Sequence, residues 1–371
     1  MTKIEKPIRV LVLLPNLRPS NGVSSFIMNY YRRLDYSKIQ MDFALYYDRE
    51  TPYYAEIKAS GGSRIYILEN IKNYSKHVRQ CRRILSEGGY DVIHDNTLLI
   101  SWPMMYEAKK MGIPIRILHS HNAKLGETEF KEVRNRTFLF LLKKTANRYV
   151  ACTRVAGKAM FGNESFSLVP NIIDGKKYFH DSSVREDLRK QMNVQDKKVI
   201  LTVGRVAKQK NPFFAIAVIE ELYKMNQNIE YWWVGSGPLD REVHDYIKAR
   251  NMIISIRMLG SENNVQKYYQ AADVFFMPSL FEGLALVLVE TQAAGLPSVI
   301  SDVIPEEAYF TDLLHPVSLQ ESLTVWARAL NDQLEKKIDR EKYKEIFLHS
   351  KFTDSRALET MTALYSNTAI T

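Results

Sequence analysis

Short apolar runs recur along this chain at a length that suits strands rather than helices. Residues 8–14, IRVLVLL, are apolar at every position but Arg9 and are followed by Pro15, the pattern of a buried parallel strand. Similar runs at 41–46, 64–68, 91–94, 115–118 and 149–151, then at 199–203, 231–234, 258–260, 273–277 and 298–301, predict further strands. The segments between them read as helices or turns. Residues 22–31 carry apolar side chains at helical spacing, and 284–294 is an apolar run of good helix formers closed by Gly295 and Pro297. From residue 319 onward the pattern is helical. Strands alternating with helices predict an α/β chain with parallel, doubly wound sheets. The run VPNIIDG at 169–175, followed by polar residues to Ser183, has the punctuation of a boundary and divides the chain into domains at 1–170 and 171–351.

Composition fits that division. At 371 residues, 46% of them hydrophobic, the chain can bury two separate cores. Cys81 and Cys152 are too few for a disulfide framework or a zinc site. The first residues lack the core of a signal peptide, and the longest apolar runs, 10–14 and 138–142, are too short to cross a bilayer, so a cytoplasmic protein is expected.

Charge adds a second asymmetry. The net +9 is unevenly placed: residues 1–170 hold 27 Lys and Arg against 15 Asp and Glu, a net +12, and residues 171–371 hold 24 against 27, a net −3. The basic half has neither a groove-reading pattern with interleaved aromatics nor a zinc-finger or helix-turn-helix motif, which argues against nucleic acid. An anionic membrane surface fits it better. Lys72, Lys76, Arg79, Arg82 and Arg83 form one basic segment; Lys131, Arg134, Arg136, Lys143, Lys144 and Arg148 bracket FLFLL at 138–142 in another. Such faces are solvated surfaces, or, for the second, a face resting at the inner side of the cell membrane with its basic residues at lipid head groups.

Candidate chemistry gathers at the strand exits, where open parallel sheets bind ligands. After 273–277 comes the turn holding Glu282 and Gly283, a glycine that lets a ligand approach. Glu290 follows eight positions on, in an apolar helix, where its carboxylate must face water or find a donor; a sugar diol is one such donor. After 199–203 come Gly204 and Arg205, with Lys210 five residues on and then Asn211-Pro212, a helix cap followed by proline at the first helical position. A planar guanidinium and a point charge there suit a diphosphate and its leaving charge, or form a solvated basic loop. Gly235-Ser-Gly237 follows another strand but is too short for a dinucleotide fingerprint. In the first half Gly22 opens a helix, as a simple cap or as an anion site, and Asn21 before it tolerates positive φ. His119 and His121 leave a strand together, but no third ligand follows at metal spacing.

The Glu282 to Glu290 segment, with its Gly-Leu-Pro exit and the Gly-Arg motif with Lys210, resembles the signature of retaining GT-B glycosyltransferases of the E-x7-E type. This is glycosyltransferase family 4, or glycosyl transferases group 1, similar to bacterial exopolysaccharide and capsule enzymes. The resemblance implies two facing Rossmann-like domains with a cleft, an acceptor-side first domain, a nucleotide-sugar domain second, and a last helix, about 352–371, packing back on the first. It implies that Glu290 holds the ribose hydroxyls of a nucleotide-sugar, UDP foremost, that Glu282 and His121 lie beside the donor sugar with His119 in support, and that Arg205 and Lys210 bind the diphosphate. Gly235 and Gly237 would line the cleft. Where the family has a Gly-Gly pair this chain has Asn21-Gly22, so only Gly22 carries over; Gly283 is kept, and Leu284-Ala285 depart from the family's residues at the sugar side. With no D-x-D in the sequence, metal-independent transfer to a saccharide or lipid-linked acceptor is expected. Two rivals share the fold: a non-catalytic nucleotide-sugar-binding module, which needs Arg205, Lys210 and Glu290 but not His121 or Glu282, and a sugar-nucleotide epimerase, which needs no acceptor.

Overall fold

The computed structural model describes residues 6–19, 21–47, 50–60, 62–122, 124–126 and 128–366. The chain divides into two compact units, one running to Ile172 and resuming at Asp354, the other Ile173–Thr353.

In the first unit the strands are β1 (Ile8–Leu14), β2 (Ile39–Leu45), β3 (Ile65–Ile67), β4 (Val92–Asp95), β5 (Ile115–Ser120), β6 (Arg148–Ala151) and β7 (Ser167–Leu168). They pair in the order β3-β2-β1-β4-β5-β6-β7, every pair parallel. Because side chains alternate across a strand, β1 feeds two layers. Val10, Val12 and Leu14 pack with the helices Gly22–Tyr31 and Pro52–Ala59 on one side, and Leu11 and Leu13 with the helices Tyr74–Gly88 and Trp102–Lys110 on the other. The helix Asp354–Tyr365 joins the first of these layers through Met361, Leu364 and Tyr365. Arg148 pins its end by donating from Nη1 to the Ser366 carbonyl at 2.9 Å. Phe352 remains with the second unit, its ring 5.2 Å from that of Phe310.

The second unit repeats the scheme with β8 (Lys198–Val203), β9 (Ile229–Val234), β10 (Ile256–Gly260), β11 (Val274–Met277), β12 (Ser298–Ser301) and β13 (Leu314–Val317). The order is β10-β9-β8-β11-β12-β13, again parallel throughout. Its core runs from Trp233, Phe276 and Val299 on the sheet to Ile216 and Ile219 on the helix Pro212–Met225 and Trp326 and Leu330 on the helix Leu323–Glu335. β7 and β13 escape the hydrophobic pattern: β7 has only two residues, and β13 reads Leu-His-Pro-Val with its middle pair exposed, which an edge tolerates because it needs neither apolar faces nor every ladder donor.

Candidate active site

β8 and β11 are neighbours in the second sheet, so the loops leaving them meet. The β8 loop turns through Gly204 and Arg205 into a short 3₁₀ turn, Lys208–Lys210, before the helix Pro212–Met225. Asn211 does not cap that helix as its residue type suggests. Its backbone is left-handed, at φ 53°, and its side chain makes no cap hydrogen bond, so Pro212 at the helix start and the backbone turn supply the entry. The β11 loop is latched to this turn twice: Leu280 N donates to the Gln209 carbonyl at 2.8 Å, and Gln209 Nε2 to the Phe281 carbonyl at 3.0 Å.

The latch brings together two residues that lie 72 positions apart in sequence. Lys210 Nζ donates to Glu282 Oε1 at 2.7 Å, with the two side chains only 12% and 7% exposed. Two charges so far out of water hold each other, since either alone would carry an uncompensated desolvation cost. The ammonium has three donors; it spends one on Glu282 and a weak one on Met277 Sδ at 3.6 Å, which leaves one for a further anion. Gly283 and Leu284 are buried just beyond, on the path into the helix Leu286–Ala293. Arg205, in contrast, is exposed at the loop tip.

Glu290 finds its donors within the protein. Tyr178 donates its hydroxyl to Oε1 at 2.9 Å and Tyr269 donates to Oε2 at 2.6 Å. Burial pushes the Glu290 carboxyl above its usual range, and the two tyrosine hydrogen bonds pull it back. Arg340 ties the supporting elements, donating from Nε to the Ala294 carbonyl at the end of the Glu290 helix and from Nη2 to the Tyr269 carbonyl.

The Gly235 and Gly237 turn presses on the Arg205 loop. A Cβ on Gly235, whose φ is +135°, would lie 2.1 Å from the Gly204 carbonyl oxygen, and one on Gly237 would lie 2.2 Å from that of Val206. Glycine is required there for backbone to touch backbone. The Gly237 amide itself is engaged with Asp240 Oδ1 at 3.0 Å.

In the first unit Asn21 takes an ordinary extended backbone, φ −99°, in place of the positive φ its type tolerates. It caps instead: Oδ1 accepts from the amides of Val23 at 3.0 Å and Ser24 at 3.3 Å, which reduces what the helix start at Gly22 can offer an anion. His121 is half-buried, its Nε2 against Asn96 Oδ1 at 2.7 Å, its ring 4.0 Å from that of His119 and 5.1 Å from Phe26. His119 in turn meets His94 Nε2 at 3.0 Å, and His94 Nδ1 meets the Tyr365 hydroxyl at 2.8 Å. Burial drives the imidazoles of His94 and His121 down to about 3 and that of His119 well below its usual value, so all three are neutral near pH 7. Among the described residues no group of three or more His, Cys, Asp or Glu side chains is arranged to hold a metal ion, this cluster included.

Pattern reading missed Tyr178, Tyr269, Gln209 and Asn96. None has a fixed spacing to the residue it serves; only the need of a helix acid for a donor pointed toward the two tyrosines.

Two parallel, doubly wound units in one chain define the GT-B class of fold. A match to the family Glycosyl transferases group 1 covers residues 184–346, which contains Arg205, Lys210, Glu282 and Glu290. A Bacillus subtilis (strain 168) protein named as glycosyltransferase EpsF is 31% identical over 334 residues, 87% of this chain and 86% of its own. An Escherichia coli protein named UDP-Gal:alpha-D-GlcNAc-diphosphoundecaprenol alpha-1,3-galactosyltransferase is 24% identical over 232 residues, 60% of each chain. In fold, the crystal structure of HepE from Anabaena in complex with UDP-glucose matches with a TM-score of 0.78 at 18% identity, over 96% of this chain and 98% of that one. The chain belongs to the Glycosyl transferases group 1 family.

Proposed function

We propose that this chain is a retaining glycosyltransferase of the family 4, E-x7-E type. It moves a hexosyl or N-acetylhexosaminyl group from a nucleoside-diphosphate sugar, with UDP the nucleotide, to a saccharide or lipid-linked acceptor in cell-surface polysaccharide or glycolipid assembly. What supports this reading is the buried Lys210–Glu282 pair where the β8 and β11 loops meet, with Arg205 in the first of these loops and Glu290 in the helix that follows the second, in a chain of this family. Glu290 accepts from the ribose hydroxyls. Arg205 and the remaining donor of Lys210 balance the diphosphate, most strongly as its charge grows on departure. Glu282, held by Lys210, lies beside the donor sugar, with Gly283 leaving room and Leu284 setting the sugar side. Gly235 and Gly237 shape the Arg205 loop around the donor. In the first unit, Gly22 and His121 are the candidate donor contacts, the neutral imidazole meeting a sugar hydroxyl.

In the transfer step the bond from the anomeric carbon to the β-phosphate oxygen breaks as a bond to the acceptor hydroxyl oxygen forms on the same face. The acceptor proton passes to the leaving phosphate, and a nucleoside diphosphate departs. Side-chain cations and backbone amides supply the counter-charge, so transfer is expected to persist in EDTA. The names of the E. coli relative and of the HepE complex support a UDP-linked donor, and the former supports a lipid diphosphate as acceptor carrier. The test is transfer from UDP-, GDP- and ADP-sugars with EDTA present.

A membrane-surface contact is carried by a separate observation. On the helix Glu129–Lys143, Phe130, Val133 and Phe140 stand 77%, 65% and 51% exposed, at spacings that place them on one stripe, with Arg136 and Lys144 exposed beside them. Lys143 and Arg148 do not belong to this surface: Lys143 pairs with Glu164 at 3.5 Å, and Arg148 holds the C-terminal carbonyls. The proposed setting is the inner face of the cell membrane, although among the described residues no helix is long and apolar enough to cross one. Phe130→Ser with Phe140→Ser, and separately Arg136→Glu with Lys144→Glu, are expected to reduce sedimentation with anionic vesicles about tenfold, the second pair mimicking added salt. Binding unaffected by both pairs, or equal binding to neutral vesicles, would remove the membrane from the account.

A further inference from the structure

The carboxylate of Glu290 is held more tightly than a ligand residue needs in order to exist in a helix. Each oxygen accepts one tyrosine hydroxyl, at 2.9 Å from Tyr178 and 2.6 Å from Tyr269. The two donors come from different parts of the unit. Tyr178 follows the short turn Gly175–Lys177 at the start of the unit, half-buried; Tyr269 is fully buried in the helix Gln266–Ala271, which Arg340 clamps to the end of the Glu290 helix. The rings approach each other at 5.8 Å between centroids, tilted by 58°, so each restrains the other.

Two hydroxyls, one per oxygen, fix both the position and the plane of a carboxylate. They also leave one acceptor direction open on each oxygen, because an ionised carboxylate has about four lone-pair sites and the tyrosines occupy two. Two neighbouring hydroxyls on a ring can supply one donor to each oxygen.

We propose that Tyr178 and Tyr269 are positioning residues that set the Glu290 carboxylate to receive both hydroxyls of a vicinal diol, making the site selective for ribonucleotides over 2′-deoxynucleotides. The inference rests on the donor reading above and adds the residues that give it selectivity. It also has a pH consequence. Only the ionised carboxylate accepts from both hydroxyls, burial raises its pKa, and each tyrosine hydroxyl favours the ionised form. Removing a hydroxyl raises the carboxyl further, so binding is lost at a higher pH as pH falls. The groups that set this carboxyl are burial and the two tyrosines.

Calorimetry on the full chain tests it, with UDP, GDP and ADP and their 2′-deoxy counterparts, from pH 5 to 8.5, for the native protein, Glu290→Gln, Tyr178→Phe and Tyr269→Phe. Melting curves accompany each variant, and Tyr178→Phe at its half-buried position guards against misfolding at Tyr269. The native protein is expected to favour the ribonucleotide about tenfold or more, and each Phe variant to lose most of that preference while keeping its affinity for the 2′-deoxynucleotide. The acid limb of its binding curve should move to higher pH. If Glu290→Gln loses the preference but both Phe variants keep it and the native pH curve, the tyrosines only fill space and the inference falls while the donor reading stands. If the native protein shows no ribose preference, or binds none of the nucleotides, the donor reading falls and the inference with it.

Discussion

Lys210→Ala is expected to lower the melting temperature by roughly 10 °C and to abolish measurable transfer. The substitution leaves the Glu282 carboxylate, in a side chain 7% exposed, without the ammonium at 2.7 Å that balances it. Breaking a buried pair from one side costs about 3–5 kcal/mol, and each kcal/mol moves a domain of this size by about 2–4 °C. Stability and chemistry separate in a double variant. Lys210→Met with Glu282→Gln removes both charges and keeps two uncharged side chains of similar length, so melting should recover most of the loss while transfer stays absent. Recovery of transfer together with stability would mean that the pair is a structural brace without a part in the reaction.

Arg205→Ala is expected to lower melting far less than Lys210→Ala does, since its side chain is exposed, and to lower turnover on a nucleotide-sugar by about 10²–10³. The affinity for the nucleoside alone should hardly change, because the guanidinium acts on the diphosphate and on the charge that grows as it leaves. Steady-state kinetics with calorimetry on nucleoside and nucleoside diphosphate read the two separately. Equal losses for both ligands would place Arg205 elsewhere in the site.

The class of fold was legible because buried parallel strands advertise themselves. IRVLVLL, VILTV and VFFM are apolar on both faces, and the structure pairs each in the interior of its sheet. β7 and β13 were not legible: β7 has only two residues, and β13 interrupts its apolar run with His315 and Pro316, which an edge tolerates, whereas the edge strands β3 and β10 keep readable runs. At the site, Lys210 and Glu282 could be singled out one by one from their place after a strand, yet their ion pair depends on β8 and β11 lying side by side, a matter of strand order that no local spacing encodes. Glu290 shows the same limit more sharply. An acid in an apolar helix signals a missing donor, but the donors are Tyr178, 112 positions away, and Tyr269, 21 away. Residue type misled at Asn21 and Asn211: the first tolerates positive φ but caps, and the second favours capping but takes positive φ. Either asparagine suits both states, and tertiary context selects between them.

The most direct measurement is of transfer itself. The full chain is incubated with UDP-, GDP- or ADP-linked sugars, in EDTA, with a saccharide or diphosphate-lipid acceptor, and both the released nucleotide and the product are followed by mass spectrometry and NMR. The account predicts that one sugar nucleotide, a UDP-sugar first, releases its nucleoside diphosphate in equal amount with a new glycosidic bond whose anomeric configuration matches that of the donor. Binding without nucleotide release would contradict it in favour of a non-catalytic module, and conversion of the sugar nucleotide without any acceptor would contradict it in favour of an epimerase.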